Sequence, residues 1–260
     1  MILIVSSLLD RHAQVVARIL ERRRVQVFIG DVMEFSAGAQ LSLDAHELAW
    51  TRADGHSARL ADVHGVWCRR NFAPNFDPAL RDACDRDFVR RQWVELLWGS
   101  VCALGALGTR LVSDPYRQQA ASKPLQLAIA RQRGLKVPDT LISNDADAVL
   151  GFVDRHAGRV VHKTLAVAMD ELLFTKRWGA EEASALDALG FTPTIFQRQV
   201  GGTREVRVTL VGERVFAAEF DVGCDAGCDA GGQVDGRLDV DAPFRIHCLP
   251  PDVVDRLQAL

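Results

Sequence analysis

The chain has 260 residues, of which 48% are hydrophobic and 25% are charged, a composition typical of a globular protein with one large core or two modest ones. Its net charge is −3 and its basic residues are scattered, which argues against a nucleic-acid partner. No apolar run is long enough to cross a bilayer, and the first one starts at Met1 without a charged segment before it. We therefore predict a cytoplasmic protein with no membrane partner.

The six cysteines do not predict a disulfide framework in a chain of this size. Cys224 and Cys228 lie in a direct duplication, GCDAGCDAG, and His247 and Cys248 follow. These four side chains can in principle bind zinc, but their spacing fits no standard zinc pattern. The composition favours a Gly/Asp-rich loop instead.

The first third of the chain is predicted to form an open α/β sheet. Residues 1–6 read as a buried parallel strand, Asp10 as the cap of a helix, and residues 25–29 as the next strand, which makes a βαβ unit. The apolar stripe of that helix is predicted to be Val15, Val16, Ile19 and Leu20. Shorter strands at 41–61, a buried strand at 63–69 and a long helix at 85–107 follow, and Ser113, Asp114 and Pro115 mark a boundary.

Two arginines, Arg69 and Arg70, follow directly after the strand that contains Trp67. Ligands of open α/β sheets gather at the carboxyl ends of strands, so these arginines can hold an acidic substrate. They can equally form a solvated strand end, and the residues alone leave both readings open.

Two lysines lie at the ends of predicted elements. Ser122, Lys123 and Pro124 predict the start of a helix and Gly134 its end, which places Lys123 at a helix N-terminus, where a phosphate is favoured. Lys163 ends a strand predicted at 158–163. Strands at 140–142, 171–175 and 192–197 and helices at 145–156 and 180–189 complete this part. Neither a Walker motif nor GxGxxG occurs, so the lysines do not indicate a P-loop or a Rossmann site.

Residues 195–220 predict a short strand, a break at Gly201 and Gly202, and a β-hairpin. Apolar and polar side chains alternate along the first hairpin strand, which puts Glu205 and Arg207 on one face. The apolar face consists of Val206, Val208 and Leu210, and we expect it to pack against the element that follows.

The turn of this hairpin is predicted at Gly212 and Glu213, because Gly in the first position suits a type II′ turn. Such a turn pairs Val211 with Arg214 and sets Arg207 opposite a small residue. The hairpin is then either an anion site built around Arg207 or a half-exposed edge with ordinary surface charges. Combined with the two lysines, it suggests a nucleotide held between two lobes.

The order of these motifs resembles the ATP-grasp ligases, and within them the microviridin or graspetide ligases, which link side chains of ribosomal peptides as lactones and lactams. The matching segments are MILIVS with DRH near the N-terminus, VWCRR at 66–70, SDPYRQQAASKPLQLAIARQRGLKVPDTLISND at 113–145, VVHK at 160–163, LLFT at 172–175, and FQRQV with REVRVTLVGERVFAAE between 196 and 219. The resemblance implies an α/β ATP-grasp fold. It consists of an N-terminal open α/β domain (1–113), a central α+β lobe (114–200) and a partial C-terminal lobe (201–260).

The resemblance also implies roles for the matched residues. Lys123 and Lys163 match the lysines that hold the phosphates of the nucleotide, and Glu205 matches the carboxylate that takes the ribose hydroxyls. Arg207 matches the arginine that stabilises the transferring γ-phosphoryl group and then the acyl-phosphate. The hinge whose backbone pairs with adenine corresponds to Gln197, Arg198, Gln199 and Val200. ATP and Mg²⁺ are the implied cofactors.

Three features depart from the family pattern. Arg198 stands where the family usually has Glu beside adenine, and the loop at 164–170 lacks the glycines that fold over the phosphates. The chain also stops at Leu260, after a helix predicted to begin at Asp252, whereas family members continue into strands that bind magnesium. We therefore expect no metal site within these residues and weak or absent catalysis from this chain alone.

The implied activity is ATP-dependent activation of an Asp or Glu side chain of a precursor peptide, followed by ester or amide crosslinking. The partner is then a precursor peptide with a leader segment and an acidic core segment. Residues 171–189 are the candidate surface for the leader, and Arg69 and Arg70 are the candidate contacts of the acidic core segment. A homodimer is compatible with this reading. The alternatives are an amino-acid or glutamate ligase of the same fold, and a truncated, non-catalytic protein that binds peptide or nucleotide.

Overall fold

A computed structural model of the chain describes residues 1–35, 38–44, 48–69, 76–166, 174–184, 186–221 and 243–260. The chain divides into two compact units, Met1–Ala121 and Ser122–Leu260. The division falls between Ala121 and Ser122, one residue before Lys123. The finer division into three parts, with boundaries at 113 and 200, stays a prediction.

The first unit is built on a parallel sheet. Its elements in chain order are β1 (Ile2–Ser6), α1 (Arg11–Arg22), β2 (Val27–Asp31), β3 (Gln40–Leu43), β4 (Leu48–Thr51), β5 (Ser57–Arg59), β6 (Gly65–Cys68), α2 (Ala83–Ala106), β7 (Arg110–Val112) and α3 (Pro115–Ala120). The parallel sheet has the order β2-β1-β6-β7, and β3, β4 and β5 form a small antiparallel sheet. The predicted buried strand, the βαβ unit and the long helix are confirmed. The second strand begins two residues later than predicted.

The inward face of α1 differs from the predicted stripe. Asp10 caps the helix as expected, accepting a hydrogen bond from the backbone N–H of His12. The buried residues, however, are Ala13 and Ala17, which pack with Ile4, whereas Val15 and Ile19 are exposed. Alanine has no side chain beyond Cβ, so this face permits a close approach of the helix to the sheet. Val16 and Leu20 of the predicted stripe are half-buried beside it.

Gly30 offers a test of the packing of this unit. A Cβ on Gly30 would lie 2.5 Å from two ring atoms of Trp50, which is fully buried and packs against Phe28 and Phe35. Because the ring has no room to move, we expect Gly30→Ala to lower the free energy of unfolding by about 1–3 kcal/mol in urea denaturation.

The matched control is Gly99→Ala in α2, where the new Cβ meets nothing within 4 Å. We expect this variant to be as stable as the wild type or more stable by up to about 1 kcal/mol, because alanine favours helix over glycine. Equal losses in the two variants would contradict the packing explanation.

The second unit contains two antiparallel sheets. Its elements in chain order are α4 (Lys123–Gln132), β8 (Thr140–Ser143), α5 (Ala146–Arg155), β9 (Val160–Thr164), β10 (Lys176–Arg177), α6 (Ala180–Ser184), α7 (Leu186–Leu189), β11 (Thr194–Arg198), β12 (Arg204–Val211), β13 (Arg214–Asp221), β14 (Arg245–Ile246) and α8 (Pro251–Gln258). One sheet has the order β10-β9-β11-β8 and the other the order β12-β13-β14.

Most predicted elements of the second unit are present. The helix that begins at Lys123, the Asp145 cap of α5 and the strand that ends near Lys163 are confirmed. The strand predicted at 171–175 lies partly outside the described residues, and Phe174 and Thr175 are not in a strand. The duplicated Cys224 and Cys228 segment lies wholly outside them.

The hairpin has the predicted register. Val211 pairs with Arg214 and Arg207 with Ala218. Gly212 has a φ of +58°, and Glu213 is not among the residues with positive φ, which agrees with a type II′ turn. The apolar face is less buried than predicted, since Val206 and Leu210 remain exposed.

Candidate functional site

A cavity of about 320 Å³ lies between α4 and one face of the β10-β9-β11-β8 sheet. In the sheet, Lys163 pairs with Ile195, and Gln197 lies two residues further along β11. Neighbouring side chains alternate between faces, so these three lie on the same face, and all three line the cavity. Helix α4 contributes the opposite wall through Lys123, Gln126, Leu127 and Ala130.

The two predicted lysines meet in this cavity. Lys123 is the first residue of α4, and its Nζ donates to the backbone carbonyl of Thr164, next to Lys163 at the end of β9. Both side chains are half-buried. Two positive charges at one small cavity, beside the N-terminal end of a helix, favour an anionic ligand such as a polyphosphate.

The predicted hinge segment is held by hydrogen bonds up to Gln199. Gln197 is 9% exposed, and its Nε2 donates to Thr140 Oγ1 at 3.0 Å. The backbone N–H of Arg198 donates to the carbonyl of Asp139, and that of Gln199 donates to the carbonyl of Arg159. These bonds fix the path of the backbone past the cavity.

Val200 is the last residue of the predicted hinge. It is 68% exposed, and its N–H has no hydrogen-bond acceptor among the described residues. Arg198 alternates with Gln197 along β11, so its side chain leaves the sheet on the face away from the cavity, and its Nε lies 3.9 Å from Asp139 Oδ2. Of the four predicted hinge residues, Arg198 can therefore contribute its backbone only.

Glu205 and Arg207 lie on one face of the hairpin, as predicted. The guanidinium of Arg207 lies 5.2 Å from the centre of the Phe220 ring, and Phe220 is 1% exposed and packs against Phe244. This contact orients the arginine, which is an exposed residue. The hairpin belongs to a different sheet from the lysine cavity.

An ionic cluster covers the other face of the hairpin. Glu219 lies 2.8 Å from His247 Nδ1 and 3.4 Å from both Arg204 Nη1 and Arg245 Nε. The hydrogen bond with His247, together with the two arginines, lowers the pKa of Glu219 below its ordinary value. Sequence reasoning missed this cluster. The period-two pattern could have placed Arg204 and Glu219 on one face of the hairpin, but β14 lies about 25 residues further along the chain.

Arg69 lies in the first unit, at the carboxyl end of β6. Its Nε is 3.7 Å from Asp10 Oδ2, and its backbone N–H donates to the carbonyl of Val5. Burial raises the pKa of Asp10, but hydrogen bonds from the Ser6 hydroxyl and the His12 N–H, with Arg69 nearby, outweigh it and lower that pKa. Arg69 is therefore held in place after the strand, and its contact with a substrate stays a prediction. Arg70 lies outside the described residues.

Parts of the predicted leader surface form a second cavity, of about 180 Å³. It lies on the face of the β9–β11 sheet that carries Phe196 and His162, opposite the lysine cavity. Trp178 and α7 contribute apolar walls, and His162 Nε2 lies 3.4 Å from Glu182 Oε1. Residues 171–173 and Ala185 of this surface, and 167–170 of the preceding loop, lie outside the described residues.

The described residues contain no group of three or more His, Cys, Asp or Glu side chains placed to bind a metal ion. Cys248 is exposed with a free thiol. No described helix is long and apolar enough to span a bilayer.

Comparison with known proteins identifies the fold. No protein-family model and no curated protein matches the sequence. Among solved structures, the macrocyclase MdnC from Microcystis aeruginosa MRC, bound with precursor peptide MdnA, matches with a TM-score of 0.82 at 24% identity over 100% of this chain and 82% of that one. A RiPP-associated ATP-grasp ligase from Chryseobacterium gregarium, in complex with ADP and a leader and core peptide, matches with a TM-score of 0.77 at 23% identity, over 99% and 80%.

The ATP-grasp ligase PsnB, complexed with a phosphomimetic variant of its minimal precursor, Mg and ADP, matches with a TM-score of 0.73 at 23% identity, over 99% of this chain and 79% of that one. This chain therefore has the ATP-grasp fold, and its structure matches graspetide-type ligases along its full length. The fold class predicted from the sequence is confirmed.

Proposed function

We propose that this chain is an ATP-dependent carboxylate ligase that activates an Asp or Glu side chain of a ribosomal precursor peptide. The observation that carries the proposal is the cavity in which Lys123, Lys163 and Gln197 meet, within an ATP-grasp fold. Its two lysines and apolar walls suit a nucleotide that is anionic at one end and flat at the other. The peptides in the related structures support a peptide as the substrate.

The reaction has two steps. A substrate carboxylate oxygen attacks the γ-phosphorus of ATP, the bond to the β-phosphate oxygen breaks, and ADP leaves an acyl-phosphate on the peptide. A Ser or Thr hydroxyl, or a Lys amine, then attacks the acyl carbon. The C–O bond to phosphate breaks and the nucleophile loses its proton. The peptide loses one water per crosslink, and the carboxylate oxygen that attacked the γ-phosphorus leaves as part of the inorganic phosphate.

In this proposal each chain residue binds or orients a group. Lys123 and Lys163 hold the phosphates, the N–H of Val200 meets adenine, and Glu205 takes the ribose hydroxyls. Arg207 stabilises the negative charge that spreads over the transferring phosphoryl oxygens, the contribution such reactions need most. Mg²⁺ would neutralise the phosphates when bound, and we assign none of its ligands to the described residues.

The peptide is proposed to meet two surfaces. Its leader docks at the second cavity, where Trp178, Leu186 and Leu189 form an apolar wall, and its acidic core meets Arg69, oriented by Asp10. A homodimer, a cytoplasmic location and the three-part domain division remain predictions.

The activity is tested by mass spectrometry of acidic peptides encoded near the gene, incubated with the full product of that gene, ATP and Mg²⁺. We expect the loss of one water per crosslink and matching release of ADP, with no loss when ADP replaces ATP. Binding of ATP is measured in parallel by calorimetry. ATP binding without water loss from any of several candidate peptides would favour the non-catalytic binding protein, and transfer to a free amino acid would favour the amino-acid ligase.

A further inference from the structure

Helix α8 makes hydrogen bonds to two distant parts of the second unit. Arg256 Nη1 donates to the carbonyl oxygen of Gly134 at 2.6 Å, and Gln258 Nε2 donates to the carbonyl oxygen of Glu213 at 2.7 Å. The first acceptor follows the C-terminus of α4, and the second lies in the turn of the β12–β13 hairpin. One helix thus joins the element that begins at Lys123 to the hairpin that carries Arg207.

The bond at Gly134 is favourable for reasons of local chemistry. Gly134 ends α4 with a φ of +72°, and the last carbonyls of a helix lack intrahelical partners and lie at its negative end. A guanidinium is well suited to this position. Asp252 Oδ2 lies 3.2 Å from Arg256 Nη2, one turn earlier on α8, and orients the side chain.

The two bonds add to a modest apolar contact between α8 and the rest of the second unit. No residue of this helix is fully buried, and its apolar side chains Val253, Val254 and Leu257 are only half-buried. Apolar packing alone therefore leaves the helix weakly docked, and the two polar contacts near its C-terminal end determine where that end lies.

We propose that α8 is a latch that sets the position of Arg207 relative to Lys123, with Arg256 and Gln258 as positioning residues. The inference rests on the proposed function, in which those two cations act on one nucleotide. Helix α4 is a continuous stretch of 10 residues, so a shift at its Gly134 end reaches Lys123 at the other. In the hairpin, Glu213 and Arg207 are joined by an uninterrupted ladder from Arg204 to Arg214.

The latch acts on phosphoryl transfer more than on nucleotide binding. Lys123, Lys163 and Gln197 line one cavity, and Lys123 is tied to β9 through the Thr164 carbonyl, so this group does not need α8 to stay together. Arg207 is on the other sheet and depends on the latch for its placement. A displacement of about 1 Å in a reacting group can cost about 100-fold in rate.

A double-mutant cycle on ATP turnover tests the latch. We expect Arg256→Ala and Gln258→Ala each to lower kcat about tenfold and to leave the KM for ATP within about twofold. The double variant should lose no more than either single one, because a latch open at one end is already open.

Arg256→Lys should recover most of the rate, since lysine can donate to the same carbonyl, and Asp255→Asn on the same helix should match the wild type. Losses of kcat that multiply in the double variant, or no loss of kcat in the single variants, would overturn the proposal.

Hydrogen exchange tests the same coupling without any substrate. We expect Arg256→Ala to speed exchange about tenfold at the hairpin turn around Arg214, the far end of the latch, and Gln258→Ala to do so at the last turn of α4. Changes confined to the mutated end would refute the coupling. If the wild-type chain shows no ATP turnover, the proposed function fails, while this measurement still decides whether α8 joins the two elements.

Discussion

Replacing Arg207 by alanine is expected to lower kcat for ATP-dependent crosslinking by about 10³-fold or more, while the KM for ATP stays within about threefold. An arginine that meets the transferring phosphoryl group stabilises charge that exists only in the transition state, so its loss appears in kcat. Arg207 suits this role because its guanidinium lies over the buried Phe220 ring while the residue as a whole is exposed.

Two variants separate this role from general effects on the hairpin. Arg214→Ala removes an exposed arginine next to the turn on the same hairpin, and we expect turnover like that of the wild type. Arg207→Lys keeps the charge but loses the planar fork that contacts two oxygens at once, so only part of the rate should return. Stopped-flow measurement of ADP formation gives kcat directly. Wild-type turnover in Arg207→Ala would remove this residue from the mechanism.

The hairpin shows how far the sequence alone could lead. A period of two and a glycine at the first turn position specify a register within a dozen residues, and the pairing of Arg207 with Ala218 follows from it. Helix starts are equally local, because a side chain such as Asp10 or Asp145 satisfies backbone N–H groups two or three residues away. These features need no knowledge of distant parts of the chain.

Features that depend on distant partners were not predictable in this way. Which face of α1 is buried depends on how closely the helix approaches the sheet. The small side chains of Ala13 and Ala17 allow a closer approach than the larger side chains of the predicted apolar stripe would allow. The Glu219 cluster needs β14, and the latch needs α8 to return to Gly134 and Glu213. The two lysines could be singled out by their positions at the ends of predicted elements, but the sequence did not show that they line one cavity, since two lysines 40 residues apart carry no local signal of proximity.

Replacing either lysine of the cavity is expected to act on binding instead of turnover. Lys123→Met and Lys163→Met should each raise the Kd for ATP by about 10- to 100-fold, the range for losing a hydrogen bond to a charged group worth about 1.5–3 kcal/mol. Methionine keeps most of the apolar stem that lines the cavity, so the loss reports the charge. Isothermal titration calorimetry at fixed ionic strength measures the effect.

Adenosine and Lys136 provide the matched controls for the lysine variants. Adenosine has no phosphates, so both variants should bind it within about twofold of the wild type, and the gap between ATP and adenosine affinities should shrink by the full effect. Lys136→Met removes an exposed lysine that does not line the cavity and should leave ATP binding unchanged. If adenosine binding falls as much as ATP binding, the lysines support the shape of the cavity and do not contact phosphate. The positive charge of Lys123 at the α4 N-terminus would then stabilise the fold and would not bind the nucleotide.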